Sequence, residues 1–138
     1  MDKLEYIPGD LVKFATNTYT IVNFEENFLH NKICYDLIST NSTKTAFVAD
    51  RDILPIPLTE EILEKNGWKI EDVNPNDLSN IVSKGIMYRA IKDKEILFFQ
   101  KGTSVFTCHL NWRKIEIRYV HQLQHLLFGL GLNSEMEV

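Results

Sequence analysis

Two histidines near the C-terminus, His121 and His125, have the spacing of paired metal ligands. Residues four apart in an α-helix lie on one face, so both imidazoles could reach one zinc ion. A zinc protease needs a glutamate directly after the first histidine, whereas this position holds Gln122. The spacing of the remaining histidines and acids predicts no third ligand. We therefore predict histidines of a helix surface or an interface, without a bound metal.

Other groups capable of catalysis are isolated in the sequence. Cys108 and His109 are adjacent in a predicted strand, so they point to opposite faces and cannot form a thiolate–imidazole pair. The acids Glu71, Asp72 and Asp77 lack the central glycine and closing glutamate of a calcium-binding loop. The chain contains no GxSxG, GxGxxG or phosphate-loop motif. We predict a protein that is not an enzyme and uses no cofactor.

Charged residues are segregated along the 138-residue chain, whose net charge is −4. Residues 50–83 carry three basic and eight acidic side chains, whereas residues 84–118 carry eight basic and three acidic ones. A segment of net charge +5 favours an anion-binding face, although charges alternating outward on a solvated sheet would give the same count. The overall negative charge argues against general nucleic-acid binding.

The basic segment also contains aromatic residues, and this combination suits a nucleotide. Arginine forks bind phosphate groups, and aromatic rings stack on bases. We predict a ligand-binding face made of six residues: Tyr88, Arg89, Lys101, Trp112, Arg113 and Arg118.

A sheet in residues 84–138 must position these side chains. Alternating runs separated by turns predict an antiparallel meander of four strands. From Arg118 the apolar period changes from two to 3.6 residues, which predicts a helix covering one face of the meander and leaving the other open. The end of this helix is apolar on more than one side. We therefore predict a homo-oligomer with Phe128 and Leu132 in its interface.

The first part of the chain, residues 1–58, is predicted to form a small SH3-like β-barrel. Its strands are short and closely spaced, so they must hide their edges. Pro55 and Pro57 end this lobe, and Thr59 caps a short helix that stops at Gly67. Residues 59–83 are predicted as this helix followed by an acidic connector. The predicted fold class is α+β.

The sequence gives no sign of export or membrane insertion. The first ten residues lack the apolar run of a signal peptide, and the apolar run of residues 126–132 is about a third of a membrane span. Cys34 and Cys108 lack a pairing motif, which suits a reducing compartment. We expect a cytoplasmic protein without membrane partners.

Three stretches of the chain combine distinctive residues: Gly9-Asp-Leu-Val12, the proline and helix stretch of residues 53–68, and residues 117–126 with Tyr-Val-His-Gln-Leu-Gln. Together they resemble a family of small uncharacterised proteins encoded by phages and mobile elements of gut bacteria. The resemblance spans nearly the whole chain, in the same order. It implies a phage or prophage context in the cytoplasm of an infected or lysogenic host, and it implies no active-site motif.

Two functions of different classes fit these features. The first is a non-enzymatic binding protein that sequesters a small anionic nucleotide immune signal or inhibits a host defence protein. The second is a nucleic-acid or replication accessory module that uses the N-terminal barrel. Residues 1–49 have a net charge of −2, which argues against the second.

Overall fold

The computed structural model describes residues 6–27, 32–72, 87–101, 105–110 and 113–138. The chain divides into two units. The first contains Met1–Pro57 and Tyr119–Met136, and the second contains Leu58–Arg118 and Glu137–Val138. The described residues form one antiparallel sheet in each unit and two α-helices, which confirms the α+β class.

The sheet of the first unit has four strands in sequential order. They are β1 (Leu11–Phe14), β2 (Asn17–Asn27), β3 (Lys32–Ser39) and β4 (Thr45–Ala49). Because β1 and β4 lie at opposite ends of the order, the sheet is not closed into a barrel, and the SH3-like barrel is not confirmed. After a 3-10 turn at Asp50–Asp52, the chain returns to the free edge of β1. There Lys13 and Leu54 exchange two backbone hydrogen bonds of 2.8 Å.

The core of the first unit lies against one face of this sheet. Alternate residues of the strands point to that face, where they form a buried cluster with Tyr6 and Ile53. The six strand residues of the cluster are Val12, Tyr19, Ile21, Tyr35, Leu37 and Val48. The ring of Tyr6 meets that of Tyr35 edge to face, with centroids 5.7 Å apart. These contacts tie the N-terminal segment to the sheet.

The C-terminal helix α2 (Val120–Gly129) belongs to the first unit. It packs against β1, with Val120, Leu123 and Leu127 buried. The prediction that this helix and the meander of residues 84–138 form one domain is therefore wrong. The predicted amphipathic helix is present as α2, but an apolar period of 3.6 residues does not indicate which sheet the helix covers.

A buried glutamine in α2 holds the start of β1. Gln124 is 4% exposed, and its Oε1 accepts a hydrogen bond of 2.9 Å from the Leu11 N–H. Its Nε2 donates to the Gly9 carbonyl at 3.0 Å and to the Ser134 carbonyl at 3.1 Å. One side chain thus satisfies three backbone groups. Buried backbone groups need partners, so this amide fixes both the turn before β1 and the segment after α2.

The sheet of the second unit has five strands, again in sequential order. They are β5 (Lys69–Asp72), β6 (Met87–Lys92), β7 (Glu95–Lys101), β8 (Phe106–Leu110) and β9 (Arg113–Ile117). Residues 69–72 were predicted as acidic connector, and this is wrong for them because β5 pairs with β6. These four residues show no alternating strand pattern, because only Ile70 among them is apolar. Residues 73–83 of the predicted connector lie outside the described residues.

The helix α1 (Glu60–Lys65) covers one face of the second sheet. Leu63 is 1% exposed and packs over Ala90, Phe99 and Phe106, leaving a hollow of about 10 Å³. The predicted caps are confirmed. Thr59 Oγ1 accepts a hydrogen bond of 3.2 Å from the Ile62 N–H, and Gly67 has a φ of +86°, which favours glycine. Neither helix of the described residues is long and apolar enough to span a membrane.

We expect the substitution Gln124→Leu to lower the free energy of unfolding by about 2–4 kcal/mol. It leaves the Leu11 N–H without its partner in a buried site, and it removes the donor to the partly buried carbonyls of Gly9 and Ser134. Q124E restores only the acceptor, since a carboxylate cannot donate to the two carbonyls, so it should also be destabilised. Urea unfolding followed by circular dichroism measures the effect.

The control is Phe128→Gln at an exposed position of the same helix, expected to change stability by at most about 0.5 kcal/mol. Equal stability of Q124L and F128Q would contradict the bracing role.

Candidate functional site

The second sheet has one buried face and one open face. Ala90, Leu97, Phe99 and Cys108 alternate onto the buried face. None of the described side chains on the other face is buried. We call this other face the open face; its described side chains are Lys69, Glu71, Arg89, Ile91, Ile96, Phe98, Thr107, His109, Lys114 and Glu116.

One row of side chains crosses the open face from edge to edge. Residues directly opposite in an antiparallel sheet lie side by side on one face. The pairing runs without interruption through Glu71, Arg89, Phe98, His109 and Lys114, one from each strand. The row therefore places the ring of Phe98 between a guanidinium and an imidazole.

An acid at the edge of the sheet partly neutralises the arginine. Arg89 Nη2 lies 2.7 Å from Glu71 Oε2, and Lys69 Nζ lies 3.1 Å from Glu71 Oε1. The hydrogen bond from Arg89, followed by that from Lys69, lowers the pKa of Glu71. Glu71 is therefore ionised at neutral pH. A bound anion would have to compete with it for Arg89.

Two polar atoms beside Phe98 have no hydrogen-bond partner among the described residues. They are Arg89 Nε and His109 Nε2, and both are shielded from solvent. Burial, followed by the nearby charge of Lys114, lowers the pKa of His109, so its imidazole is neutral at pH 7. Unpaired buried polar atoms cost free energy, so these two nitrogens lower the stability of the fold locally.

The structure brings only some of the predicted ligand-binding residues to this face. Arg89 lies on this face, on the strand β6. Arg118 follows β9, which lies three strands, roughly 14 Å, from the strand of Arg89, and its guanidinium is 3.8 Å from Glu116. Arg113 is exposed but alternates with Lys114, so it lies on the opposite side and its predicted role in the same face is wrong.

The three other predicted residues are described less completely. Tyr88 pairs with Phe99 and Lys101 pairs with Phe106 through the backbone. Their side chains, and the whole of Trp112, lie outside the described part of the chain.

Sequence reasoning missed three of the five residues of the row. Phe98, His109 and Lys114 join Arg89 only through the strand register, which places them opposite one another. The two-residue turn Asp93-Lys94 could have supplied the pairing of Arg89 with Phe98, because a hairpin loop of this length fixes the register of its two strands. The later pairings depend on longer loops that do not fix it.

The histidine pair of α2 lies in the first unit and differs from the prediction. His125 Nε2 is 2.7 Å from Asp10 Oδ2, an oxygen that also accepts a hydrogen bond of 2.9 Å from the Ile7 N–H. The Asp10 side chain is 3% exposed. Burial raises the pKa of Asp10, opposed by the hydrogen bonds from Ile7 and His125. This pair fixes the same turn that Gln124 holds.

His121 is a core residue and not the surface or interface histidine that was predicted. It is 2% exposed and packs with its ring centroid 4.9 Å from that of Tyr6 and 5.9 Å from that of Tyr119. Burial, followed by the neighbouring His125, lowers the pKa of His121 to about 4. Within the described ranges, no three histidine, cysteine or acidic side chains are grouped as metal ligands.

The remaining reactive and interface candidates are simple to place. Both cysteines are buried and free, and burial raises the pKa of Cys108 to about 11, which keeps it a protonated thiol. Phe128 is 71% exposed at the end of α2, whereas Leu132 is partly buried. An interface through these two residues stays a prediction.

Comparisons with known proteins add no family to this description. No family model, no curated protein and no solved structure matches the chain. The fold and the open face define a two-sheet α+β protein with an aromatic and basic surface, and its function has to be argued from that surface.

We expect His121 to make the protein less stable in acid, by about 2 kcal/mol between pH 7 and pH 4.5. As the pH falls below 6.5, the unfolded chain binds a proton at His121, whereas the folded chain does not until about pH 4. Asp10 acts in the opposite direction, because its raised pKa favours proton uptake by the folded state. Urea unfolding at several pH values measures the sum.

The substitution His121→Phe separates these two contributions. It keeps a ring against Tyr6 and Tyr119 but does not titrate. The stability of H121F should therefore fall less than that of the wild type over the same pH range. Parallel pH profiles of the two proteins would show that His121 is not buried in its neutral form.

Proposed function

We propose that this protein is a non-enzymatic binding protein whose open face captures a small anionic nucleotide. One observation carries the proposal: on the open face the ring of Phe98 lies in one row between the guanidinium of Arg89 and the imidazole of His109. The phage context and the role in counter-defence rest on the sequence resemblance alone.

The row suits the two chemical parts of a nucleotide. The ring of Phe98 offers a stacking surface for a base, which tolerates any base because each has a π-face. The neutral imidazole of His109 offers a hydrogen-bond donor or acceptor to the base edge. Arg89 and Lys114 lie on either side of this pair and can hold phosphate oxygens. Ile96, 48% exposed, extends the apolar surface next to Phe98.

The ligand in this proposal lies on the sheet and not inside it. The hollow under α1 has a volume of about 10 Å³, the space of one water molecule and far less than a nucleotide needs. A ligand on a flat surface contacts the protein on one side only. Selectivity would then come from the spacing of the phosphates relative to the base.

The described contacts favour a nucleotide over a host protein as the captured molecule. The open face combines charged residues such as Arg89 and Lys114 with an aromatic ring at Phe98, and this combination suits the phosphates and base of a nucleotide. Sequestration of a nucleotide immune signal is therefore our proposed role. A nucleic-acid module on the first sheet has no described basic patch in its favour.

We expect variants of the open face to distinguish the contribution of stacking to nucleotide affinity from that of charge. F98L should weaken nucleotide binding about 5- to 100-fold through loss of stacking, and R89Q about tenfold or more through loss of a charged donor. E71Q should strengthen binding about two- to fivefold, because it removes the acid that competes for Arg89. R113Q is the matched control, since this arginine lies on the opposite side of β9.

Titration calorimetry with a panel of mononucleotides and cyclic dinucleotides provides the measurement. Native mass spectrometry of protein purified from bacteria with active nucleotide-signalling defence systems identifies the natural ligand. A clean apo mass from such hosts, together with no binding in the panel, would refute the proposal. Equal losses in R113Q and R89Q would show that binding occurs elsewhere.

A further inference from the structure

The first sheet ends in a strand that carries no charged side chain. β4 reads Thr45-Ala-Phe-Val-Ala49 and has β3 as its neighbour on one side. Natural proteins usually protect an edge strand with charges or proline, because its free backbone groups pair readily with another strand. At the edge of the second sheet, β9 has this protection in Arg113, Lys114 and Glu116. β4 has none.

The free backbone groups of β4 can be identified from its pairing. The Ser39 N–H donates to the Lys44 carbonyl at 2.8 Å, and the register continues without a shift from Ile38↔Thr45 to Cys34↔Ala49. Hydrogen-bonded and non-hydrogen-bonded pairs alternate in an antiparallel ladder. The N–H and C=O groups of Thr45, Phe47 and Ala49 therefore point away from β3, towards the edge of the sheet where no other described strand pairs.

The same edge exposes a large apolar side chain. Phe47 is 58% exposed, and Ile38, diagonal to it on β3, is 40% exposed. An unprotected edge with an exposed aromatic residue at its centre is the surface that a further β-strand would cover.

We propose that this edge pairs with the β4 strand of a second copy of the chain, antiparallel and about a two-fold axis at Phe47. In this register Phe47 lies opposite itself, Thr45 opposite Ala49, and Ala46 opposite Val48. About six backbone hydrogen bonds form, two for each outward-pointing pair. The two sheets join into one sheet of eight strands.

Charge complementarity selects a second copy as the occupant. The same register places Lys44 of each copy opposite Asp50 of the other, one such pair at each end of the joint strand. Both side chains are exposed, and neither forms an ion pair with another residue in the described ranges. Within one chain the two residues are about 20 Å apart along the strand, so they cannot pair there. The strand is thus complementary to itself in sequence and in charge.

Sedimentation velocity of the full chain, from about 1 to about 100 µM, tests the proposal. The wild type should form a dimer in this range. K44D and D50K should each weaken it about tenfold, because each places like charges opposite one another twice. The double variant K44D/D50K should restore it, since the exchanged charges are again complementary. Only contact between residue 44 of one copy and residue 50 of the other gives this restoration.

Two further variants distinguish this surface from the end of α2. F47K should abolish the dimer, whereas F128K, at the exposed phenylalanine of α2, should leave it unchanged. Circular dichroism confirms that each variant is folded. A monomer at all concentrations, a dimer broken by F128K but not by F47K, or a double charge exchange that fails to restore the dimer would each overturn the proposal.

Discussion

The amide of Gln124 is the interaction on which the first unit depends. It joins the turn before β1 to a helix more than a hundred residues later, and it also holds the segment after that helix. Asp10 and His125 add a second bond between the same two segments. Two of the stretches that carry the sequence resemblance, around Gly9 and around Tyr119–Gln124, thus meet in space. Their residue types are explained by hydrogen bonding within the fold and need no catalytic role.

The two faces of the second sheet show how alternation divides structural and surface roles. Phe99 and Cys108 point to the face under α1, whereas Phe98 and His109, their immediate neighbours in sequence, point to the open face. Glu71 has a particular effect on this surface. By binding Arg89, it holds the guanidinium in place and lowers the net positive charge of this part of the face.

Local features of the sequence predicted the elements well and their assembly poorly. Thr59 and Gly67 gave the ends of α1, and the change of period gave α2, because capping and amphipathicity are properties of a few neighbouring residues. The partner of α2 was wrong because an apolar stripe is compatible with either sheet. The candidate site was found in part: Arg89 stood out by its charge, whereas Phe98 and His109 become neighbours of it only through the register of three strands.

The position of α2 in the chain has a consequence for folding during synthesis. The first unit is discontinuous, since the whole of residues 58–118 is translated before Tyr119–Met136. During synthesis the sheet of the first unit therefore lacks α2, which packs against β1 and supplies the hydrogen-bond acceptor for the Leu11 N–H. Closing a loop of this length is slow compared with forming hairpins. The second unit, whose strands pair in sequential order, can fold first, and the synthesis of Tyr119–Met136 then completes the first unit.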